Sequence, residues 1–596
     1  MPLDLDARKP LRLCVLKFGS SVLEKPDDYA RAAHEIYRHT RSGEKVVAVV
    51  SALGGETDAL FAVGGDVGEG CSDGLMARLV RCGELKSAAL MGLALQRSGI
   101  PSAVLDPHEM GLRAAGTALD ANLTGLDAER VLSHFETADV IVAPGFFGEG
   151  EAGPVTLGRG GTDLTAVEFA HWLGADRVRL IKDVDGVYSD DPAKNPDAVR
   201  LDQLDYDEAA KVSRGLVQEK AIHRAKENGV VIEVAALGSP FASRIAAVKR
   251  RAGPLQRAER LRVAVLGHGA VGAGVCSHLL AHPGRFELAP VLVRNPAEHA
   301  AAAGHTPLSF TADPAEALAN QPDIVVETIG GTGLARALAQ SVLREGSHLV
   351  TANKAVVALD IDRLTELARQ QGRQLRYSAA IGGGVPILEL VDLLAAQGGI
   401  LGIEGVLNGT CNFVFGQMGK GARLADAVAE AQRRGFAEAD PSADIDGLDA
   451  ADKLAILVRH AFGITLHPDR IECESLNDLE AHRIRAVKEQ GLVFKQVARC
   501  EVLPDGTVSA RVEIEALDPA HPLAGLENEG NGFLIRLPHR TVSVLGKGAG
   551  RWPTAEAVFA DIMDIQRLYL AGEDRASSVP ENPLSHIRRM STGRVA

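Results

Sequence analysis

Asp449 and Lys453 stand four residues apart in a segment of helical character, Leu448 to His460, so a helix would set both on one face. An acidic turn with Glu438, Asp440 and Asp444 comes just before them. An isolated pair of this spacing is a weak surface ion pair. A lysine ringed by carboxylates suits a small cationic amino-acid substrate instead. A second constellation is Gly267-x-Gly269-x-x-Gly272, directly after the strand-like run Leu261–Leu266. The first glycine admits a tight turn, the second lets backbone approach a pyrophosphate, and the third lets helix pack on strand. The helix N-terminus then faces the phosphates. Past the next strand-like run stand Arg294 and Asn295, where an NAD site carries an acid. Arginine there suits a 2′-phosphate and favours NADP over NAD. A third constellation is Lys17-Phe-Gly19-Ser-Ser-Val22. It is not a P-loop, since no GxxxxGK(S/T) occurs. A lysine at a strand end beside glycine and two serines still holds phosphates by charge and backbone N–H groups.

Elements to position these residues are written along the chain. Aliphatic or β-branched runs occur at Leu11–Leu16, Val46–Ser51, Val140–Ala143, Arg177–Ile181, Arg262–Leu266, Glu287–Val293, Ile324–Thr328 and His348–Thr351. Longer Ala/Leu/Arg/Glu segments lie between them. The alternation predicts α/β layering with mainly parallel sheets. A charged stretch with Gly-Pro, Val248–Arg260, separates two such patterns and reads as a linker. Near 391–401 the composition shifts toward a mixed α+β stretch, and after about Leu570 the chain is polar and loose.

The bulk numbers narrow the partners. The 596 residues predict several domains. Hydrophobic residues make up 46% and aromatics 4%, so Ala, Leu, Val and Gly do most of the packing. A net charge of −14 without a long basic run argues against nucleic acid and anionic membrane, leaving small-molecule substrates. Seven scattered cysteines with no CxxC pair fit a reducing cytoplasm rather than a disulfide framework or structural zinc. The N-terminus lacks signal-peptide character, and no run approaches the ~20 apolar residues of a membrane span.

Further blocks make the second half specific: Leu349-Val-Thr-Ala-Asn-Lys354, Ile381-Gly-Gly-Gly-Val-Pro386, Leu407-Asn-Gly-Thr-Cys-Asn412, and Gly435-Phe-Ala-Glu438 through Asp444, Asp449 and Lys453. With Gly546-Lys-Gly548-Ala-Gly550 near the end, they resemble homoserine dehydrogenase from about 261 to 565. The resemblance implies reversible reduction of aspartate 4-semialdehyde to L-homoserine with NADP or NAD. Lys453 would donate the proton, Asp449 would hold that ammonium, and Lys354 would lie by cofactor and substrate. Glu438 would bind the substrate amino group, with Asn408 and Thr410 shaping its pocket. Gly267, Gly269, Ala270, Val271, Gly272, Arg294, Thr328, Gly330, Gly331, Lys354 and Gly548 would meet the cofactor. Some family members hold a sodium ion. Here the carbonyls of Ile381, Gly383 and Val385 are available, but Ser378 stands in place of the anionic ligand.

In the first half, Val50-Ser51 through Thr57-Asp58, Gly83-Glu84, Leu157-Gly-Arg159-Gly-Gly-Thr-Asp163 and Lys182-Asp183-Val-Asp-Gly-Val-Tyr188 resemble aspartate kinase, of the amino-acid kinase fold, over about 11–240. By position Lys17 and Gly19 would hold the transferring phosphate of ATP with Mg2+. Ser51, Thr57, Glu84 and Arg159 would bind aspartate. Lys182, Asp183 and Tyr188 would meet the nucleotide. The first loop is one glycine short, Ala193 replaces an arginine, and Ser213-Arg214-Gly215 replaces a lysine-bearing segment. Two readings follow: an active kinase, or a ligand-binding or assembly module. The resemblances imply a fused enzyme without ACT-type regulatory domains between its halves, self-associated as a dimer or larger. They divide it into a kinase-like domain (1–247), a linker (248–260), a Rossmann domain (261–390), an α+β substrate domain (391–540), a return segment (541–570) and a tail (571–596).

Overall fold

The computed structural model describes residues 12–570 apart from 69, 71, 159, 192–193, 196, 214, 249–250, 253–259, 304–305, 435, 438–439, 480–482, 484–486 and 488. The chain divides into two compact units, Met1–Arg257 and Ala258–Ala596.

In the first unit a nine-stranded sheet runs, edge to edge, Arg251–Ala252, Leu201–Leu204, Ser243–Ile245, Ile232–Ala236, Arg177–Lys182, Leu13–Phe18, Lys45–Val50, Val140–Pro144 and Ser102–Val104. Leu13–Phe18 pairs in parallel with both its neighbours. All six of its residues are buried, as expected of a central parallel strand covered on both faces. Parallel pairing brings the C-terminal ends of Leu13–Phe18, Lys45–Val50 and Arg177–Lys182 to one edge of the sheet, so Lys17, Ser51 and Lys182 gather there. Helices Asp28–Arg41, Asp73–Arg97 and Gly161–Trp172 pack on this sheet. A separate four-stranded sheet is built from Arg113–Thr117, Asp120–Gly125, Phe147–Gly150 and Gly153–Thr156.

The second unit holds two sheets. The parallel one runs Phe310–Thr311, Val291–Leu292, Leu261–Leu266, Ile324–Glu327, His348–Thr351 and Leu375–Arg376, with Phe286–Leu288 also pairing on Leu261–Leu266. The strand expected over Glu287–Val293 is thus two short strands on either side of Pro290, which has no N–H for the ladder. The other sheet has six mainly antiparallel strands, with long central Val493–Val502 and Val508–Leu517. Helix Leu448–Phe462 lies on it and packs against helices Lys354–Gln370 and Ile387–Gly398. Helix Arg551–Leu570 returns to the first sheet's helix Ala270–Leu280. A Cβ on Gly274 would come 2.7 Å from that of Ala555, and His278 stacks on Phe559 at 4.9 Å. Among the described residues no helix is long and apolar enough to cross a membrane.

Candidate functional site

In the second unit, strand Leu261–Leu266 passes into Gly267, whose φ of +104° favours glycine. A Cβ there would meet Thr328 O at 2.8 Å, and one on Gly272 would meet Gly267 O at 2.1 Å. Gly269 has nothing near its missing side chain and stands just before Ala270 and Val271, which open the helix. The Thr328 hydroxyl donates to the carbonyls of Leu266 and Gly267, each at 3.1 Å. A cavity of about 790 Å3 lies over this turn, lined by Gly267, Gly269, Arg294, Thr328 and Gly330 among others. This glycine cradle at a helix start fits a dinucleotide.

The loop after Ile324–Glu327 is held from beneath by Glu327, which is fully buried. Its Oε1 accepts N–H bonds from Ile329 (2.8 Å) and Gly330 (3.3 Å), and its Oε2 accepts the Thr351 hydroxyl at 2.6 Å. Thr351 Oγ1 accepts the N–H of Asn353 at 3.0 Å, and Asn353 Nδ2 donates to Gly331 O at 2.8 Å. Asn353 Oδ1 also caps helix Lys354–Gln370 at the Val356 N–H. Removing the Glu327 carboxylate strips several of these partners at once, at on the order of 1–3 kcal/mol for each group left unpaired. Glu327→Ala is therefore expected to lower the melting temperature and weaken dinucleotide binding together. Glu327→Gln, which keeps an acceptor oxygen, should do less of both, and equal losses in the two variants would refute the role.

Lys354 opens the capped helix, and its Nζ lies 2.8 Å from Asp449 Oδ1. Lys453 Nζ donates to Asp449 Oδ2 at 2.9 Å and to Leu407 O at 2.7 Å. One buried carboxylate thus bridges two ammonium groups. Burial would raise the Asp449 pKa, but Lys453 and Lys354 overcome it and hold the carboxyl well below its usual range. Attraction to Asp449 raises Lys354. Asn408 Nδ2 donates to both Asp444 Oδ1 (2.6 Å) and Asp449 Oδ2 (2.9 Å). Burial lifts Asp444. The Thr410 hydroxyl donates to Phe436 O at 2.7 Å. Glu438 lies outside the described residues.

Gly548 packs where a Cβ would fall 1.8 Å from Asn531 Cγ, and a Cβ on Gly383 (φ +58°) would fall 2.4 Å from Gly548 O. The triple-glycine block and the Gly548 loop therefore close on each other backbone to backbone. Of the three expected cation ligands, the Val385 carbonyl accepts the Ile387 N–H at 2.8 Å, and Ile381 and Gly383 offer neutral oxygens only. Ser378 donates its hydroxyl to Glu389 (2.7 Å) and Asp561 (3.0 Å). The three carbonyls are neutral, and the carboxylates beside Ser378, those of Glu389 and Asp561, are engaged by its hydroxyl.

In the first unit, Lys17 Nζ lies 2.8 Å from Asp163 Oδ1 and Lys182 Nζ 3.0 Å from Asp163 Oδ2. Burial opposes ionisation of Asp163, yet the two lysines bring it down to about 2. Burial and Lys17 together lower Lys182. A Cβ on Gly19 would press on Lys17 Nζ at 2.6 Å. Two buried ammonium groups on one carboxylate leave net positive charge at a sheet edge, which fits a polyphosphate. The Ser51 hydroxyl donates to Thr162 at 3.0 Å. Thr57 is half-buried in helix Glu56–Val67 and Asp183 is exposed. The Tyr188 hydroxyl donates to Asp185 at 2.7 Å. Arg159 lies outside the described residues.

Glu84 is 2% exposed, and one of its oxygens finds no partner. Burial pushes its pKa up to about 8, against backbone N–H bonds and Lys17. An unfolded glutamate titrates near 4.5. Between these values the folded form binds the extra proton, so stability falls as pH rises through that window. Relative to the parent, Glu84→Gln should therefore gain in melting temperature from about pH 5 to about pH 8, and parallel melting curves would refute this.

Asp163 and Glu327 were not singled out from the sequence. Their signals are an acid closing the Gly-Arg-Gly-Gly-Thr-Asp block and an acid ending the apolar run Ile324-Val-Val-Glu327. Among the described residues Cys14, His39 and Glu44 have metal-like spacing. Arg177 already grips Glu44 through two bonds of 2.9 and 3.0 Å, and burial pushes the Cys14 thiol up to about 12, so a cation there would meet a filled carboxylate and a neutral thiol.

Comparison with known proteins divides the chain in the same two parts. Residues 12–235 match the amino acid kinase family, 267–378 the homoserine dehydrogenase NAD-binding domain, and 386–563 the homoserine dehydrogenase family. A homoserine dehydrogenase of Synechocystis is 34% identical over 343 residues, 55% of this chain and 78% of that protein. An NAD(+)-dependent homoserine dehydrogenase of Pseudomonas canavaninivorans is 36% identical over 38% of this chain and 64% of its own length. The crystal structure of a homoserine dehydrogenase from Thiobacillus denitrificans shares 31% identity, covering 57% of this chain and 80% of that one, with a TM-score of 0.52.

Proposed function

The chain belongs to the homoserine dehydrogenase family, with an amino acid kinase domain in front, and from that premise we propose that its second unit interconverts L-aspartate 4-semialdehyde and L-homoserine. The observation that carries this reading is Asp449 held between Lys354 and Lys453. When bound, a nicotinamide dinucleotide supplies or accepts the hydride. The turn at Gly267 and Gly269 would receive its pyrophosphate, with Gly272 letting the helix pack close, and Arg294 would receive a 2′-phosphate, which makes NADP the preferred form over NAD. The oxygen of the reduced carbon needs a proton. Two of the three Lys453 N–H bonds are committed to Leu407 and Asp449, and the third remains for that oxygen. Asp449 holds both ammonium groups close. Lys354, its proton held more firmly, supplies fixed positive charge. Asp444 and Glu438 offer carboxylates to the substrate amino group.

For the first unit we propose phosphorylation of L-aspartate by ATP with Mg2+, the phosphates lying on Lys17 and Lys182. The purified protein should oxidise NADPH when given the semialdehyde and reduce NADP+ when given homoserine. Absence of both rates with folded protein would refute the dehydrogenase reading.

A further inference from the structure

The second residue of the glycine turn is His268, and the reaction as derived makes no use of it. Its Nδ1 lies 3.4 Å from Nδ1 of His299. The two rings meet edge to face at 5.3 Å, and both lean on Phe310, at 5.0 and 5.6 Å. Both are half-buried and both line the dinucleotide cavity beside Arg294, Asn295 and Glu298. Packing alone would account for three rings in contact. It does not account for nitrogen facing nitrogen, which requires one imidazole to donate and the other to accept.

The charged groups around the pair are few. Arg294 lines the same cavity wall, and Arg551 acts on His268 from the start of helix Arg551–Leu570. Among the described residues Glu298 is the one carboxylate lining the cavity, and its Oε2 accepts Asn295 Nδ2 at 3.1 Å. Burial, His299 and Arg551 all push His268 below its ordinary value of 6.5. With the cavity empty His268 is therefore neutral at pH 7. Arg294 follows the strand next to the glycine turn, where the adenosine ribose of a dinucleotide comes to rest. A phosphate on that ribose brings about −1.5 to −2 charges against Arg294 and the two imidazoles. Such a charge favours an added proton, which the pair can hold as N–H+···N while an Nε2–H turns to the phosphate.

We propose that His268 and His299 are a proton-linked reader of the 2′-phosphate, so that NADP(H) binds with uptake of a proton that NAD(H) does not require. The inference rests on the dinucleotide reading of this unit and deepens its cofactor choice. The sign follows from linkage: the phosphate raises the imidazole pKa, so preference for the phosphorylated cofactor grows as pH falls from about 8 toward about 6. Below that the phosphate itself takes up protons and the gain levels off.

Calorimetric titration of the intact protein with NADP+ and with NAD+, at pH 7 in two buffers of different ionisation enthalpy, reads the proton count directly. The expected result is uptake of about half to one proton more for NADP+ than for NAD+. The ratio of the two dissociation constants should move toward NADP+ by several-fold, at most about tenfold, per pH unit lowered. His268→Gln and His299→Gln together should abolish the difference and flatten the ratio, each variant being read against its own NAD+ constant. Equal proton uptake for both nucleotides in the parent protein would overturn the proposal and leave the rings as packing. Binding of NAD+ without any of NADP+ would overturn it through the Arg294 reading, and binding of neither through the dinucleotide reading itself.

Discussion

Replacing Lys453 with alanine is expected to lower kcat for semialdehyde reduction by about 10²–10⁴-fold, the usual range for a positioned proton donor. The expectation comes from its surroundings. Lys453 is 9% exposed, lies on the same helical face as Asp449, and is aimed by the Leu407 carbonyl and the Asp449 carboxylate. Lys354 touches the same carboxylate but is 38% exposed in its side chain, and attraction to Asp449 raises it above the ordinary lysine value. Removing Lys354 should therefore act through charge, raising KM as well as lowering kcat. Lys453→Arg separates the roles further, since arginine keeps the charge but does not give up its proton near neutral pH. It should be nearly as slow as the alanine variant. An unchanged kcat in Lys453→Ala, measured under saturating cofactor, would move the donor to Lys354 or water.

The second large effect is expected in the first unit. Lys17→Ala should reduce ATP-dependent aspartyl hydroxamate formation by about 10³-fold or more, because phosphoryl transfer depends on positioning and neutralised charge. Lys17 is buried, and its loss would leave Asp163 with Lys182 alone. If the parent protein makes no hydroxamate at millimolar aspartate, the kinase reading fails and the alternative of a ligand-binding or assembly module takes its place. Nucleotide binding by the parent, weakened in Lys17→Ala, would then identify that module as a nucleotide-binding one.

The parallel strands were legible because buried strands of this kind are nearly unbroken β-branched runs. Lys45–Val50, Ile324–Glu327 and His348–Thr351 lie within a residue of where such runs stand in the sequence. Glycine turns were legible for a similar reason, since Gly267 and Gly272 occupy places a side chain would block. Single acids were harder. Asp163 and Glu327 each appear once in an apolar or glycine-rich run, and one charge gives no period to read. Their partners, Lys17 and Lys182 for the first and Thr351 for the second, sit on strands distant in sequence that only the fold brings to them. The imidazole pair was out of reach altogether, because His268 and His299 stand 31 residues apart and meet only in the fold, each leaning on Phe310.

The docking of helix Arg551–Leu570 on helix Ala270–Leu280 has a consequence for how the protein is made. Val275, Cys276 and Leu279 of the earlier helix are buried in the finished structure, and the Phe559 ring that stacks on His278 belongs to a segment synthesised hundreds of residues later. At about 5–20 residues per second, the nascent dinucleotide domain waits many seconds with that flank uncovered while the six-stranded sheet is still emerging. The interval is one in which a growing chain is exposed to aggregation and to holding chaperones. The last helix to leave the ribosome among the described elements is thus the one that seals the domain begun at Leu261.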